Sequence, residues 1–285
     1  MMQTVLVQSL LIPVLILAVI PDPTVAMAAD AVTVGEQISL ERAEEILRAE
    51  REWFIGETIV PEGGSATGSR LVPYFSNLAF EGLAIEPGYL PLVGKWLTWY
   101  LDHANDVDFW GVPGTVYDYS VADDGTLRQL IDYDSADAYA ATFFTLAWHY
   151  IENGGDPGIL LGRREDVLKV ASAIDAVMDK DHLTWAKIDY KVKYLMDNVE
   201  VWRGLEDLAS LQLVVFDDVE SASHYREMAD LVKKAIYKKL WRDSSWLPYP
   251  GKQPDWRIWY PDATAQLWPI WSGLMDDNPS KRDLI

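Results

Sequence analysis

A helix without a polar face constrains the fold of this chain more than any other feature. The stretch Ile131–Glu152 opens with three acids, Asp132, Asp134 and Asp137, and then continues as a run that is apolar on every side of a helix. A helix of this kind is normally surrounded by protein. The sequence therefore predicts an inner helix with carboxylates at its start.

The apolar helix belongs to a repeat. Similar helices begin near Pro73, Ser135, Asp197 and Asp262, about 63 residues apart, and amphipathic helices alternate with them. Helical hairpins whose inner members face one another form a ring or a solenoid. In a ring, the loops that precede the inner helices line one cavity. One such loop holds two strand-like runs around the turn at residues 123–125, which predicts a short β-hairpin at this rim.

Composition restricts the ligand. There are 44 acidic and 24 basic residues, and the net charge of -20 repels nucleic acid. Tyr and Trp, which have an apolar face and a polar edge suited to sugars, far outnumber Phe. Without cysteine, and with four histidines that show no ligand spacing, the sequence predicts no metal site and no cofactor.

Residues 1–28 are typical of an export signal. The apolar run Val5–Ile20 is short for a membrane span, and Ala26-Met27-Ala28 is an A-x-A cleavage site. The first four residues carry no positive charge, so a retained N-terminal anchor is the alternative. The sequence predicts a secreted or periplasmic protein with no stable membrane span after cleavage, in which residues 29–285 form a single domain.

Four segments precede or open the inner helices: GTVYDY from Gly114, YDSADAY from Tyr133, YLMDNVEVW from Tyr194 and WYPDATAQLW from Trp259. Together with the repeat, they make residues 70–275 resemble the six-hairpin glycosidase superfamily, the (α/α)6 toroids. This resemblance implies an all-α toroid that hydrolyses glycosidic bonds of a polysaccharide or oligosaccharide with two carboxylic acids in its central cavity. The superfamily also contains lyases, epimerases and proteins without an assigned activity.

Glycoside hydrolysis requires one protonated acid and one carboxylate. The candidates are Asp134, Asp137 and Asp197, drawn from two inner helices. Helix capping is the alternative interpretation, because Asp134-x-x-Asp137 and Asp197-x-x-Glu200 resemble capping boxes. A third copy at Asp217 begins a helix where no chemistry is expected.

Further residues are predicted to bind substrate through ring faces, hydroxyls or amides, although packing in the core would account for the same aromatics. They are Trp110, Tyr117, Asp118, Tyr133, Tyr139, Asn198, Glu200, Trp202, Trp259, Tyr260, Asp262 and Gln266.

The chain contains four predicted inner helices, whereas a six-hairpin ring needs six. We therefore expect an incomplete, open ring or a sequence truncated at its C-terminus. A non-catalytic glycan-binding or scaffold protein remains an alternative, as does a lyase or epimerase on the same scaffold. Few histidines and few arginines disfavour the last two.

Overall fold

The computed structural model describes residues 40–57 and 69–276, so the predicted export signal lies outside the described residues. Its helices are α1 (Leu40–Glu57), α2 (Pro73–Leu83), α3 (Leu90–Asp102), α4 (Ala136–Glu152), α5 (Gly158–Leu161), α6 (Arg164–Val177), α7 (Leu195–Val214), α8 (Val219–Leu240) and α9 (Thr264–Trp271). The strands are β1 (Arg70–Leu71), β2 (Tyr119–Val121), β3 (Leu127–Gln129), β4 (Trp241–Arg242) and β5 (Ser245–Trp246).

The four helices predicted as inner ones pack in a row. Helix α4 contacts α2 on one side and α7 on the other, and α7 also contacts α9. Helices α3, α6 and α8 follow in the chain and pack on α2, α4 and α7 respectively. The prediction of an all-α, toroid-like arrangement of helical hairpins is confirmed. That the ring is open stays a prediction.

Helices α4 and α7 touch backbone to backbone. A Cβ atom added at Gly204 of α7 would lie 2.6 Å from the carbonyl oxygen of Ala141 and 2.7 Å from its Cα. Side chains larger than hydrogen therefore cannot occupy this position without moving a helix. The contact sets the distance between the two helices, and with it the distance between the loops that precede them.

Aromatic side chains join α2, α3 and α4 in the core. Trp96 stacks on Phe80 with ring centroids 5.5 Å apart, and Tyr100 stacks on Phe143 at 4.5 Å. The polar edges are also satisfied, since the Tyr100 hydroxyl donates to the carbonyl oxygen of Tyr139 at 2.9 Å. Part of the aromatic content is therefore structural.

The rim loops contain the expected hairpin and one further strand. Strands β2 and β3 pair antiparallel with Tyr119 opposite Gln129. Strand β1, which the sequence did not predict, pairs with the other edge of β2. It brings Arg70 into the rim beside the loop that carries Asp118.

The capping interpretation is wrong for the two inner helices. The N-cap of α4 is Ser135 rather than Asp134, and α7 begins two residues before Asp197; neither N-cap side chain forms a capping hydrogen bond. On the outer helix α8, Asp218 rather than Asp217 is the cap, and its Oδ1 accepts from the backbone N–H of Ser221 at 2.9 Å. Capping therefore does not account for Asp134 and Asp197.

No helix in the described ranges is both long and apolar enough to cross a membrane.

We expect Gly204→Ala to lower the free energy of unfolding by about 1–3 kcal/mol, because its methyl group would overlap backbone atoms of Ala141 that cannot rotate away. Gly82→Ala in α2 is the matched control: nothing lies within 4 Å of the added Cβ, and alanine favours a helix. Thermal denaturation of both variants measures the difference. An unchanged Tm in Gly204→Ala would show that the helices are not held at this distance.

Candidate active site

The starts of α4 and α7 bring four carboxyl groups to one end of the inner helices. Asp134 precedes α4, Asp137 lies in its first turn, and Asp197 and Glu200 lie near the start of α7. Burial raises the pKa of Asp197 well above its usual range, and the charges of the other three carboxyls raise it further. The three predicted catalytic acids thus lie within electrostatic reach of one another.

The four groups differ in their access to solvent. Asp134 is exposed and Asp197 is half-buried, whereas Asp137 and Glu200 are buried. Only the first two are therefore accessible to a bound sugar, and they form a pair contributed by two different helices.

Asp137 is held inside the protein by hydrogen bonds. Its Oδ2 accepts from the hydroxyl of Thr184 at 2.6 Å, and its Oδ1 accepts from the N–H of Ala138 at 2.9 Å. The amide oxygen of Asn198 accepts from the backbone N–H of Thr184 at 2.8 Å. Both side chains therefore anchor the loop before α7. The roles of Asp137 as a catalytic acid and of Asn198 as a substrate ligand stay predictions, which this burial disfavours.

Glu200 ties three inner helices together. Its Oε1 accepts from the hydroxyl of Tyr74 in α2 at 2.7 Å and from the indole N–H of Trp268 in α9 at 2.8 Å. Burial raises the pKa of Glu200 to about 8, although both hydrogen bonds oppose the shift. At neutral pH the side chain is therefore mostly a neutral acid inside the protein. Its contact with substrate stays a prediction, which this burial disfavours.

Tyrosines surround the accessible pair. Burial raises the pKa of the Tyr194 and Tyr260 hydroxyls, and the charges of Asp197 and Asp134 contribute, so both rings lie near these acids. Tyr260 and the adjacent Trp259 are about half exposed, and their contact with a ligand stays a prediction.

Sequence reasoning missed Tyr74, which stacks on Tyr139 with ring centroids 5.8 Å apart. Its position one residue after the helix-opening Pro73 matches the positions of the other cleft residues at helix starts, and this signal was available in the sequence.

A further acid, Asp118, lies beside the stacked rings of Tyr74 and Tyr139. The hydroxyl of Tyr139 donates to Asp118 Oδ1 at 2.9 Å, and Arg70 donates to Asp118 Oδ2 at 3.1 Å. Burial raises the pKa of Asp118 to about 6 against the opposing effects of these two partners. Asp118 therefore positions Tyr139, and both side chains are buried behind the rim.

Of the packed aromatic side chains in the loop before α4, only Trp110 is partly accessible to solvent. Tyr133 and Tyr117 are buried, and the Tyr133 hydroxyl donates to Asp108 Oδ2 at 2.7 Å. Trp110 packs against both rings and is half-buried, with the ammonium of Lys187 lying 5.0 Å from its ring centroid. The two tyrosines support the half-buried Trp110 ring, whose contact with a sugar stays a prediction.

Three other residues predicted to bind substrate are buried or form hydrogen bonds with backbone atoms. Trp202 is buried, with Lys233 of the outer helix α8 over its ring at 5.2 Å. Gln266 bonds both the N–H and the carbonyl oxygen of Trp246, and Asp262 accepts from the N–H of Asp255 at 2.7 Å. These side chains hold the core and the loop before α9, and their assignment to substrate stays a prediction that these contacts disfavour.

Within the described residues, no three His, Asp or Glu side chains are grouped so that they could hold a metal ion.

No protein-family model matches the chain, and no curated protein does. Solved structures do match. A rhamnosidase from Klebsiella oxytoca with rhamnose bound aligns with a TM-score of 0.55 and 16% identity, covering 79% of this chain and 42% of that one. A family 105 glycoside hydrolase from C. acetobutylicum aligns with a TM-score of 0.51 and 11% identity, covering 70% and 58%.

These likenesses show the fold. The chain shares a mostly helical, toroid-type fold with these two structures, and it spans about half of their length.

Glu200→Gln tests whether a neutral acid lies below the cleft. The amide keeps an Oε1 acceptor for Tyr74 and Trp268 and cannot ionise. Because the folded pKa of about 8 lies above the ordinary value of 4.5, the wild type binds this proton more tightly when folded, and its stability falls as pH rises between those values. We expect the Tm of the variant relative to wild type to increase across this pH range. Glu227→Gln, on the exposed face of α8, should follow the wild-type curve. Parallel curves for Glu200→Gln and wild type would contradict the assignment.

Proposed function

We propose that the protein is a glycoside hydrolase acting on a polysaccharide or oligosaccharide. The observation that carries this proposal is the pairing of an exposed carboxyl, Asp134, with the half-buried Asp197, whose pKa is raised. A glycosidase needs a carboxylic acid that is protonated at working pH beside a second carboxylate.

In this proposal Asp197 is the general acid. Burial and its neighbouring carboxyls keep its proton, which it donates to the leaving glycosidic oxygen. Asp134 acts on the opposite side of the sugar, either activating water or attacking the anomeric carbon. Tyr194 and Tyr260, which lie near both acids, are placed to contact the sugar.

We further propose that the bound sugar is uncharged. The basic side chains beside the predicted binding residues are already paired: Arg70 with Asp118 at 3.1 Å, Lys187 with Asp132 at 2.9 Å and Lys252 with Asp262 at 3.9 Å. Among the residues described, no cation forms an ion pair with either catalytic candidate. The carboxylate of a uronic acid would therefore meet the like charge of Asp134 without a basic partner.

Export is also part of the proposal, and it rests on residues 1–28 alone. A non-catalytic glycan-binding protein is the second candidate, because Trp259 and Tyr260 are exposed as stacking surfaces that would serve binding equally well.

Asp197→Asn separates the two candidates. We expect the substitution to reduce kcat by about 10²–10⁴-fold, because the amide cannot supply a proton, while binding is retained. The measurement is reducing-end release from a panel of polysaccharides, with binding followed by tryptophan fluorescence. Asp230→Asn, exposed on α8, is the control and should leave turnover unchanged. Binding without turnover in the wild type would favour the glycan-binding protein, and products absorbing in the near ultraviolet would indicate a lyase.

The charge of the substrate is tested with matched aryl glycosides. We expect hydrolysis of neutral glycosides and at least tenfold lower kcat/KM for the corresponding uronides, since the cleft is acidic. Preference for uronides would overturn the assignment of an uncharged sugar and leave the hydrolase intact, whereas no hydrolysis of either would count against the hydrolase.

A further inference from the structure

A small cavity lies between the inner helices, next to Glu200. Its volume is about 20 Å³, and Glu81 from α2, Thr142, Thr145 and His149 from α4, and Glu200 and Arg203 from α7 line it. A cavity of this size holds about one water molecule, which needs roughly 10–15 Å³ and two or more polar partners. The lining supplies such partners from three helices.

The carboxyl of Glu200 has one oxygen to offer this cavity. Oε1 is engaged by Tyr74 and Trp268, whereas Oε2 is buried without a hydrogen-bond partner among the described residues. Leaving a buried polar atom unpaired is unfavourable by about 1–3 kcal/mol. A water in the cavity would satisfy it.

An ion pair forms another part of the lining. His149 Nδ1 lies 3.2 Å from Glu81 Oε1, and the His149 side chain retains 19% exposure, so it can exchange protons with solvent. Burial lowers the pKa of His149, but the nearby charges of Glu81 and Asp207 outweigh burial and Arg203, and the net shift is upward. Asp207 and Arg203, both from α7, bond each other at 2.7 Å.

We propose that this cavity is a hydration site whose water accepts a hydrogen bond from the protonated Oε2 of Glu200. The Glu81–His149 pair, which lines the same cavity, controls the protonation of Glu200. Glu81 and His149 are positioning residues, since they act through Glu200 rather than on a substrate.

The two partners of the pair have opposite effects. The negative charges of Asp137 and Glu81 disfavour ionised Glu200. Because His149 lies against Glu81, its positive charge when protonated offsets the charge of Glu81. Removing Glu81's charge therefore makes Glu200 easier to ionise, and removing His149's charge makes it harder. A purely structural ion pair gives no such opposition, because loss of either partner would only destabilise the fold.

The test is a pH titration of the Glu200 carboxyl by carbon-13 NMR of the full chain labelled at glutamate, with Glu200→Gln used to assign the signal. We expect the midpoint to fall by about 0.5–1 pH unit in Glu81→Gln and to rise by about as much in His149→Gln. Glu227→Gln should leave it unchanged.

Shifts in the same direction, or no shift in either variant, would overturn the proposal. Should Glu81→Gln fail to fold, His149→Gln decides alone: its half-buried side chain is the more tolerant position, and a midpoint that stays or falls there rejects the control of Glu200. Magnetic relaxation dispersion of water oxygen-17 in the wild type tests the hydration site. It should detect a long-lived internal water that is lost when Thr145→Leu fills the cavity, and persistence of that signal would reject the site.

One consequence rests on the proposed hydrolase. Because ionised Glu200 raises the pKa of Asp197, the basic limb of the pH–rate profile should move to lower pH in His149→Gln and to higher pH in Glu81→Gln. If the protein has no hydrolase activity, this readout is lost while the NMR titration still decides the proposal.

Discussion

The backbone contact between Gly204 and Ala141 determines the arrangement of the site. Because Gly204 leaves no room for a side-chain atom against the backbone of Ala141, α4 and α7 approach each other closely along their middles, and their first turns are held side by side. Asp137 and Asp197 lie in those turns. Burial raises the pKa of both, and the charge of Asp137 raises the pKa of Asp197 further. The close packing of the two helices therefore also determines how strongly the charge of Asp137 affects the pKa of Asp197.

Burial divides the acids into two roles. Asp137 and Glu200 have raised pKa values and internal hydrogen-bond partners, so they join loops and helices as neutral or partly neutral groups. Asp134 and Asp197 remain accessible. A buried acid that keeps its proton can satisfy polar neighbours without placing a full charge in the core. The same acids that stabilise the helix starts therefore also raise the pKa of Asp197.

The sequence predicted the helical repeat because the inner helices are apolar on all sides, and it predicted the acids because they recur at helix starts. It did not predict which acids are buried. That depends on Thr184, Tyr74 and Trp268, which lie far away in the chain and reach the site only through the fold. The burial of Trp202 agrees with the helical period, because a residue two positions after Glu200 lies on nearly the opposite side of α7.

The two hydrogen-bond partners of Glu200 become available at different stages of synthesis. Tyr74 is separated from Glu200 by 126 residues and Trp268 by 68. One partner is therefore synthesised long before α7 and the other long after it. During synthesis from the N-terminus, Tyr74 and Glu200 are present before Trp268 has been added. The hydrogen bonds of Glu200 are consequently completed late. A ribosome-bound chain that ends before α9 carries Asp134 and Asp197 but lacks the hydrogen bond from Trp268 to Glu200.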